Sequence, residues 1–571
     1  MPIRILFFAT ACNALRWPPA HAPLSHRATE LNLTGIRGPN AWFFEIGSRA
    51  EDLRRMLTEI TPTPTATSAL TPVPSASPTV TAVPTLAPTV TVAPTTELVT
   101  TFSQLRNVVS CGVPNITLGT SFEVHEALNI AAGSTLTVLG SGVTLTANVR
   151  TKFFDVYGSL HLRELTLANG STSVLVCPAV PSSDCAGGSI GVWAGGVLSL
   201  INCIIRDSSA GWGGAVFGYF GGSISATNST IARCFGVAGA GIFLYYAASA
   251  DIDQCDFTDN SAYNPDVDRL GLIGVGFEFR TPALGACAWA TVIVRNSTFR
   301  RNIANFGGME VSYGSTAHVS DSLFEDNWAS MFGAGLVCWE SGASVSCERC
   351  VFRNNSVGSP SSLAPVNTRG AAVHVQGFVP TSGYFRDCVF DRNSVWEISP
   401  IVTPPSIAGK GGAISVDAAS VVLERSIFWG NRADTEGGAI TVYSSASAAI
   451  TNCSFLENSA VLGAAIHVKT SANLIMNGGM LKHSFTGDEA HYCTGALHLN
   501  GASADVMNVK FVRNSEQAIC AEEGAVARIS GSSFLRNRAD AFSNIKGAGI
   551  YAATEGALAA LRYPPALIFE K

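Results

Sequence analysis

Three of the ten histidines, His374, His467 and His498, recur in one local setting: "GAAVHVQ" from Gly370, "GAAIHVK" from Gly463 and "GALHLN" from Gly495. In a strand, alternate side chains point to opposite sides, so each imidazole faces away from the apolar residues that flank it. The residue two places on shares that outward face, which adds Trp339, Gln376, Asp417, Tyr443, Lys469 and Asn500 from equivalent strands. Rings and amides on a flat sheet suit sugars, which present C–H faces and hydroxyls. An ordinary solvated sheet face has the same composition, and the sequence leaves both readings open. A second candidate lies in "DIDQCDFTDN". If Ile252 points inward, Asp251 and Asp253 share one outward face and can hold a hard cation such as Ca²⁺. Neighbouring coils offer few further ligands, so solvated acids are the competing reading. No catalytic residue is assigned.

These residues need something to align them, and the repeat supplies it. A large apolar anchor followed three residues later by Asn recurs along the chain, at Ile205, Ile231, Phe257, Phe299, Phe324, Phe352, Phe390, Phe428, Phe455, Met480, Phe511 and Phe534. Asn takes the third place after nine of these twelve anchors, from Asn260 to Asn537. Five residues before each anchor stands an apolar or small residue, Ile475 in the Met480 repeat, and two before stands something small, often Cys. No unit of this size can bury its own apolar face. Units stacked with parallel, in-register strands turn each recurrent position into a continuous ladder with rungs about 4.8 Å apart. Asn is expected at the corners, where it tolerates left-handed geometry and its amides can bond from coil to coil. The prediction is an all-β chain, a single-stranded parallel β-helix with three sheets and about 12–15 coils, spanning residues 108–560. Residues 124–168 read as its opening coils.

The remaining chain reads differently. Residues 1–60 contain a weak candidate signal sequence and a short amphipathic helix at 45–60. Residues 61–98, rich in Thr and Pro, read as a stiff extended spacer. With 36 basic and 42 acidic residues and no basic block, a nucleic-acid footprint is missing. No run reaches the twenty apolar residues of a membrane-spanning helix. Cys177 and Cys185 bracket a short insertion and are placed to close it as a disulfide; Cys350 and Cys388, on successive coils, are a second candidate pair. Sequons at Asn115, Asn169, Asn228, Asn296, Asn354 and Asn452, with one more at Asn32, are candidate glycan acceptors. The longest insertions, 171–187, 261–275, 357–369, 395–410 and 485–494, fall at one corner and mark a candidate partner-binding edge.

The alternation of F-x-x-N with "GGAI" (411 and 437), "GAGL" (333) and "GAAI" (463) resembles the repeats of chlamydial polymorphic outer-membrane proteins. More broadly it resembles right-handed β-helix proteins of the pectin-lyase-like superfamily, over roughly residues 110–556. The resemblance implies a right-handed three-sheet β-helix and, for the chlamydial proteins, surface display and adhesion. Those proteins carry a C-terminal membrane barrel, whereas this chain stops at "LRYPPALIFEK". The superfamily also implies enzymes on acidic polysaccharides, but the N-T-D, D-D and G-H-G motifs of its glycoside hydrolases do not occur. The expectation is a secreted or cell-surface protein, non-enzymatic, binding glycans or a cell-surface partner, with no cofactor unless Ca²⁺. A polysaccharide lyase or glycoside hydrolase is the second reading, and a purely structural wall component the third.

Overall fold

The computed structural model describes residues 96–172, 181–262, 283–359, 368–377, 381–397, 409–486, 493–515, 517–538 and 549–552, and the backbone of 558–561 and 568–570. The candidate signal sequence, the helix expected at 45–60, Asn32 and Cys177 lie outside these residues. So do most of the spacer and the greater part of the corner insertions.

One later coil illustrates the fold. Ser447–Thr451, Ser454–Leu456, Ser459–Ala460 and Ile466–Lys469 are four short strands separated by tight corners. Each pairs in parallel with its equivalents in the coils before and after. The protein is therefore a parallel β-helix, as its repeat predicts. The domain is wider than predicted at both ends. Glu97–Val99, at the end of the presumed spacer, already pairs with Asn115–Leu118. Ile568–Glu570 pairs with Ser533–Leu535, which places Phe569 on the anchor rung beside Phe534. A helix, Phe102–Ser110, follows the first strand; its N-terminus is closed by a reciprocal Thr101–Gln104 capping box, and it buries Leu105 and Val108.

Two ladders hold the interior. Phe257, Phe299, Phe324, Phe352, Phe390, Phe428 and Phe455 stack face to face with centroids 4.6–5.0 Å apart and rings within 8° of parallel. Beside them runs a chain of buried amides from Asn260 through Asn302, Asn327, Asn355, Asn393 and Asn431 to Asn458. From Asn260 to Asn431 each Nδ2 donates to the next Asn Oδ1 and to the anchor carbonyl of the preceding coil, Ile231 for Asn260 and a Phe for the others. For Asn431 these are Asn458 Oδ1 at 3.0 Å and Phe390 O at 2.9 Å.

Two sequence expectations need correction. The left-handed corner is the residue before the Asn: Asp259, Arg301, Asp326, Asn354, Arg392, Gly430 and Glu457 have φ of 51–62°, while the ladder asparagines do not share that conformation. Those asparagines are spent inward, because a buried amide satisfies four backbone and side-chain groups that a turn residue would leave in solvent. The anchor near 480 is Leu481, which pairs with Phe455 and Phe511, and not Met480. The inward residue of the preceding strand is likewise Met476, fully buried, while Ile475 is 42% exposed. With two apolar residues side by side in each strand, type alone does not fix which one points in.

Candidate functional site

The fourth strand of each coil begins at the glycine turn. In the turn at Gly437, φ is +63° and a Cβ would collide with the Ile440 carbonyl oxygen, so glycine is required there. The first and third residues of the strand, such as Ile440 and Val442, enter the core. The second residues form a rung that runs Glu310, Val337, His374, Ser415, Thr441, His467, His498 and Cys520. The fourth run Ser312, Trp339, Gln376, Asp417 and Tyr443, and then Lys469, Asn500 and Glu522.

The histidines thus share a rung, and His467 directly neighbours His498. The expected solvated face is overturned: His374 and His498 are wholly buried and His467 nearly so. Over His374 the cover is a residue just ahead of a turn glycine, while His467 and His498 pack against each other. Phe332, Arg369, Lys410, Glu436 and Leu462 bridge one another in parallel, continuing a column from Phe306. This column meets the fourth-position rung across the histidine rung. Phe332 stacks on His374 at 4.8 Å and Phe306 meets Trp339 at 5.2 Å. Arg369 pairs with Asp417 at 2.6 Å and lies 4.8 Å over the Tyr443 ring. Lys469 reaches Glu436 at 2.6 Å, and Lys410 approaches the same carboxylate at 3.8 Å.

The electrostatics follow from burial. Burial, aided by the Lys469 and Arg369 charges, brings Lys410 down to about 8 against the pull of Glu436. Burial first, then Arg369, lowers His374 to about 4, although its Nε2 has Gln376 Oε1 at 2.9 Å. Burial also raises the Tyr443 phenol and holds His467 well below the usual imidazole range, with His498 adding to the effect.

A pH dependence follows. A buried neutral imidazole refuses the proton that the unfolded chain accepts below about 6.5, so stability is complete above that pH and lost on acidification. For His374 the loss extends toward its folded value of about 4, at about 1.4 kcal/mol per pH unit for each proton excluded. Urea midpoints should therefore fall between about pH 6.5 and 5. His374→Phe, which keeps the ring against Phe332, should make the fall visibly shallower; an unchanged slope would show that His374 is not the group excluded.

Toward the start of the same strand ladder the face is aromatic. Trp212 lies 5.1–6.1 Å from Phe217, Phe243 and Tyr245, and Tyr219 stacks on Tyr245 at 6.2 Å. Just beyond the strand ends Phe220, Tyr246 and Trp289 are 62%, 39% and 67% exposed. Their φ values are 47°, 53° and 63°, which bulky side chains rarely adopt.

A profile described as "Right handed beta helix region" matches residues 182–377 and 338–495, together more than half of the chain. The chain belongs to the right-handed β-helix family. No curated protein sequence matches it. Among solved structures, the tailspike protein 3 of bacteriophage CBA120 is 10% identical with a TM-score of 0.32, over 81% of this chain and 59% of that one. The periplasmic alginate epimerase AlgG is 9% identical with a TM-score of 0.27, over 66% and 77%. The catalytic domain of a GH87 α-1,3-glucanase is 11% identical with a TM-score of 0.28, over 83% and 70%. The narrower resemblance to the chlamydial proteins has no counterpart among these matches.

In this right-handed β-helix the other predicted residues fall as follows. Trp339, Gln376, Lys469 and Asn500 remain partly exposed, while Asp417 and Tyr443 are buried under Arg369. Asp251 and Asp253 do share a face, but Arg295 Nη2 pairs with Asp251 at 2.6 Å and Asn296 Nδ2 donates to Asp253 at 2.9 Å. The next coil thus supplies a cation of its own at the place where Ca²⁺ was one of the two readings. Cys350 and Cys388 are free buried thiols, not a bridge; each donates to a backbone carbonyl at 3.3–3.4 Å. Cys185 is disulfide-bonded, and its predicted partner Cys177 lies outside the described residues. Asn169, Asn228, Asn296, Asn354 and Asn452 all stand exposed at left-handed corners, and Asn115 is half-buried in a strand. Among the described residues no helix is long and apolar enough to cross a membrane. Sequence reasoning missed Phe332, Arg369, Lys410 and Glu436, although each directly precedes a turn glycine and was legible as a column of its own.

Proposed function

We propose that this β-helix protein works outside the cell or at a cell surface and, without enzymatic action, holds a polysaccharide or glycan-bearing partner along the face built by the fourth strands. The observation that carries this reading is the exposed strip of Phe220, Tyr246 and Trp289, bulky rings held at positive φ beside the Tyr219–Tyr245 stack. Sugar rings stack on such surfaces, and the polar groups farther along, from Gln376 to Asn500, offer hydrogen bonds to their hydroxyls. Arg369 and Lys410, the described ends of two insertions, stand in the column over the same face. Sequons at exposed corners support passage through a glycosylating export route.

In a glycan array followed by calorimetry on the strongest ligand, Tyr246→Ala with Trp289→Ala should weaken binding about tenfold or more, since each ring contributes about 1 kcal/mol beyond its buried area. Affinity equal to that of the unmodified protein would remove this face from consideration. A second reading, a polysaccharide lyase, is favoured by Lys410. A buried lysine brought down to about 8 beside Arg369 and Tyr443 is suited to take a proton. Release of unsaturated sugars from acidic polysaccharides, abolished by Lys410→Gln, would establish that activity in place of simple binding.

A further inference from the structure

Near the C-terminal end of the histidine rung, three ligand types converge. The Cys493 Sγ, a ring nitrogen of His498 and a carboxylate oxygen of Glu522 all lie within 4.8 Å of one another. They come from two adjacent coils: His498 and Glu522 occupy successive strands of the fourth-strand ladder, and Cys493 precedes the glycine turn at Gly495 in the same coil as His498. Cys493 is bonded to Cys520, the residue that pairs with His498 in the next coil. Both cysteines and His498 are buried, while Glu522 keeps 25% of its side chain exposed.

The polar geometry at this point is unusual. His498 Nε2 lies 3.1 Å from Glu522 Oε1, yet it is out of line for a hydrogen bond and has no other partner. A fully buried imidazole nitrogen in that condition costs stability. Two ligands each 2.0–2.1 Å from a tetrahedral Zn²⁺ stand about 3.3 Å apart, close to the separation found here. The other ring nitrogen is already engaged: His498 Nδ1 is 3.3 Å from His467 Nδ1. One imidazole donates to the other across this contact; with His498 as the donor, its Nε2 carries a lone pair free for a metal. Metal-binding histidines are characteristically fixed in this way by a partner on the second nitrogen. Asn500 Nδ2 donates to Glu522 Oε1 at 2.8 Å and orients the carboxylate.

We propose that Cys493, His498 and Glu522 form a site for one divalent cation of the Zn²⁺ class, available only when the Cys493–Cys520 disulfide is reduced. A thiolate, an imidazole and a carboxylate make a three-ligand set with a fourth position for water. In the disulfide, the Cys493 sulfur has no thiolate charge to offer. A dithiol reductant supplies two electrons and two protons to the S–S bond, giving two thiols while its own sulfurs join as a disulfide. The cation then displaces the Cys493 thiol proton to solvent. The site lies at the C-terminal end of the same fourth-strand ladder and shares Asn500 with it, but metal uptake does not depend on glycan binding.

The test uses the full chain, reduced with dithiothreitol, desalted under anaerobic conditions and titrated with ZnCl₂ against a chromophoric chelator. One Zn²⁺ should bind per reduced chain and none to the oxidised chain. Cys520→Ser, which leaves Cys493 as a permanent thiol, should bind Zn²⁺ without reductant. In that background His498→Ala and Glu522→Gln should each weaken binding at least tenfold, with the β-sheet circular dichroism spectrum unchanged. No uptake by reduced protein or by Cys520→Ser overturns the proposal, and equal uptake by oxidised protein overturns the redox gate. Unaltered affinity in both ligand variants assigns the metal to other thiols and overturns the site.

Discussion

Replacing Asn431 by Ala should be among the most destabilising single changes this protein can suffer. Its Nδ2 donates to Asn458 Oδ1 and Phe390 O, while its Oδ1 accepts from the Asn393 backbone N–H and Asn393 Nδ2. The substitution strips a partner from each of these groups in a place that water does not reach, and Asn393, Asn431 and Asn458 are all fully buried. Asn458 Oδ1 keeps the backbone N–H of residue 431 and Asn393 Nδ2 keeps Phe352 O, so the loss is that of four buried hydrogen bonds at about 1 kcal/mol each, about 4 kcal/mol in all. The comparison that isolates the cause is Asn354→Ala. Asn354 is the exposed neighbour of the ladder residue Asn355 at a left-handed corner, and its replacement should cost no more than about 1–2 kcal/mol of backbone strain. Urea unfolding of both variants, followed by circular dichroism, checks the difference. Equal midpoints would mean that the amide ladder contributes nothing beyond filling space.

Arg369→Met should be nearly as damaging, for a different reason. The guanidinium pairs with Asp417 at 2.6 Å, each side chain only 13% exposed, and also covers the rings of Phe332 and Tyr443. Removing the cation alone strands the carboxylate beneath its own cover, and losing one partner of a buried pair typically costs about 3–5 kcal/mol. Methionine keeps much of the apolar stem, so the loss measured is mainly electrostatic. The double variant Arg369→Met with Asp417→Leu removes both charges and should recover most of that cost. A double-mutant cycle in urea tests the pair directly. If Asp417→Leu fails to rescue Arg369→Met, the ion pair is not the source of the effect.

How far the fold could be read from the sequence depends on how each residue type is used. Phenylalanine and asparagine at fixed spacing announce stacked coils because few other arrangements need both at every level. The nine repeat asparagines and the aromatic anchors therefore gave the architecture away. Leu481 was misplaced by one residue because Met480 and Leu481 are equally apolar, and only pairing with Phe455 and Phe511 decides between them. Thr101 and Gln104 spell a capping box, but the short helix they open lies between strands too brief to declare themselves.

The site was legible only in part. Alternation correctly placed His374, His467 and His498 on one side of their strands, since that is a property of the strand alone. Whether this side meets water depends on what lies over it, and that cover arrives from the preceding corner. Phe332, Arg369, Lys410 and Glu436 follow segments of different lengths, so no constant spacing from the anchor reveals them. Counting from the turn glycine does reveal them, because each stands one residue before it.

The break in the repeat at Leu481 and Ser484 has a mechanical consequence. At that level neither an aromatic ring nor an amide continues the two ladders, which resume with Phe511 and Asn514. Mutual polarisation along a row of aligned amides therefore ends at Asn458 and begins afresh beyond it. Strand pairing still joins the terminal block of coils past this level, but with both interior ladders interrupted that block is expected to open more readily than the longer column. His498, Cys520 and Glu522 all ride on that terminal block, so transient opening would admit a reductant or a metal ion to groups that the closed cylinder hides.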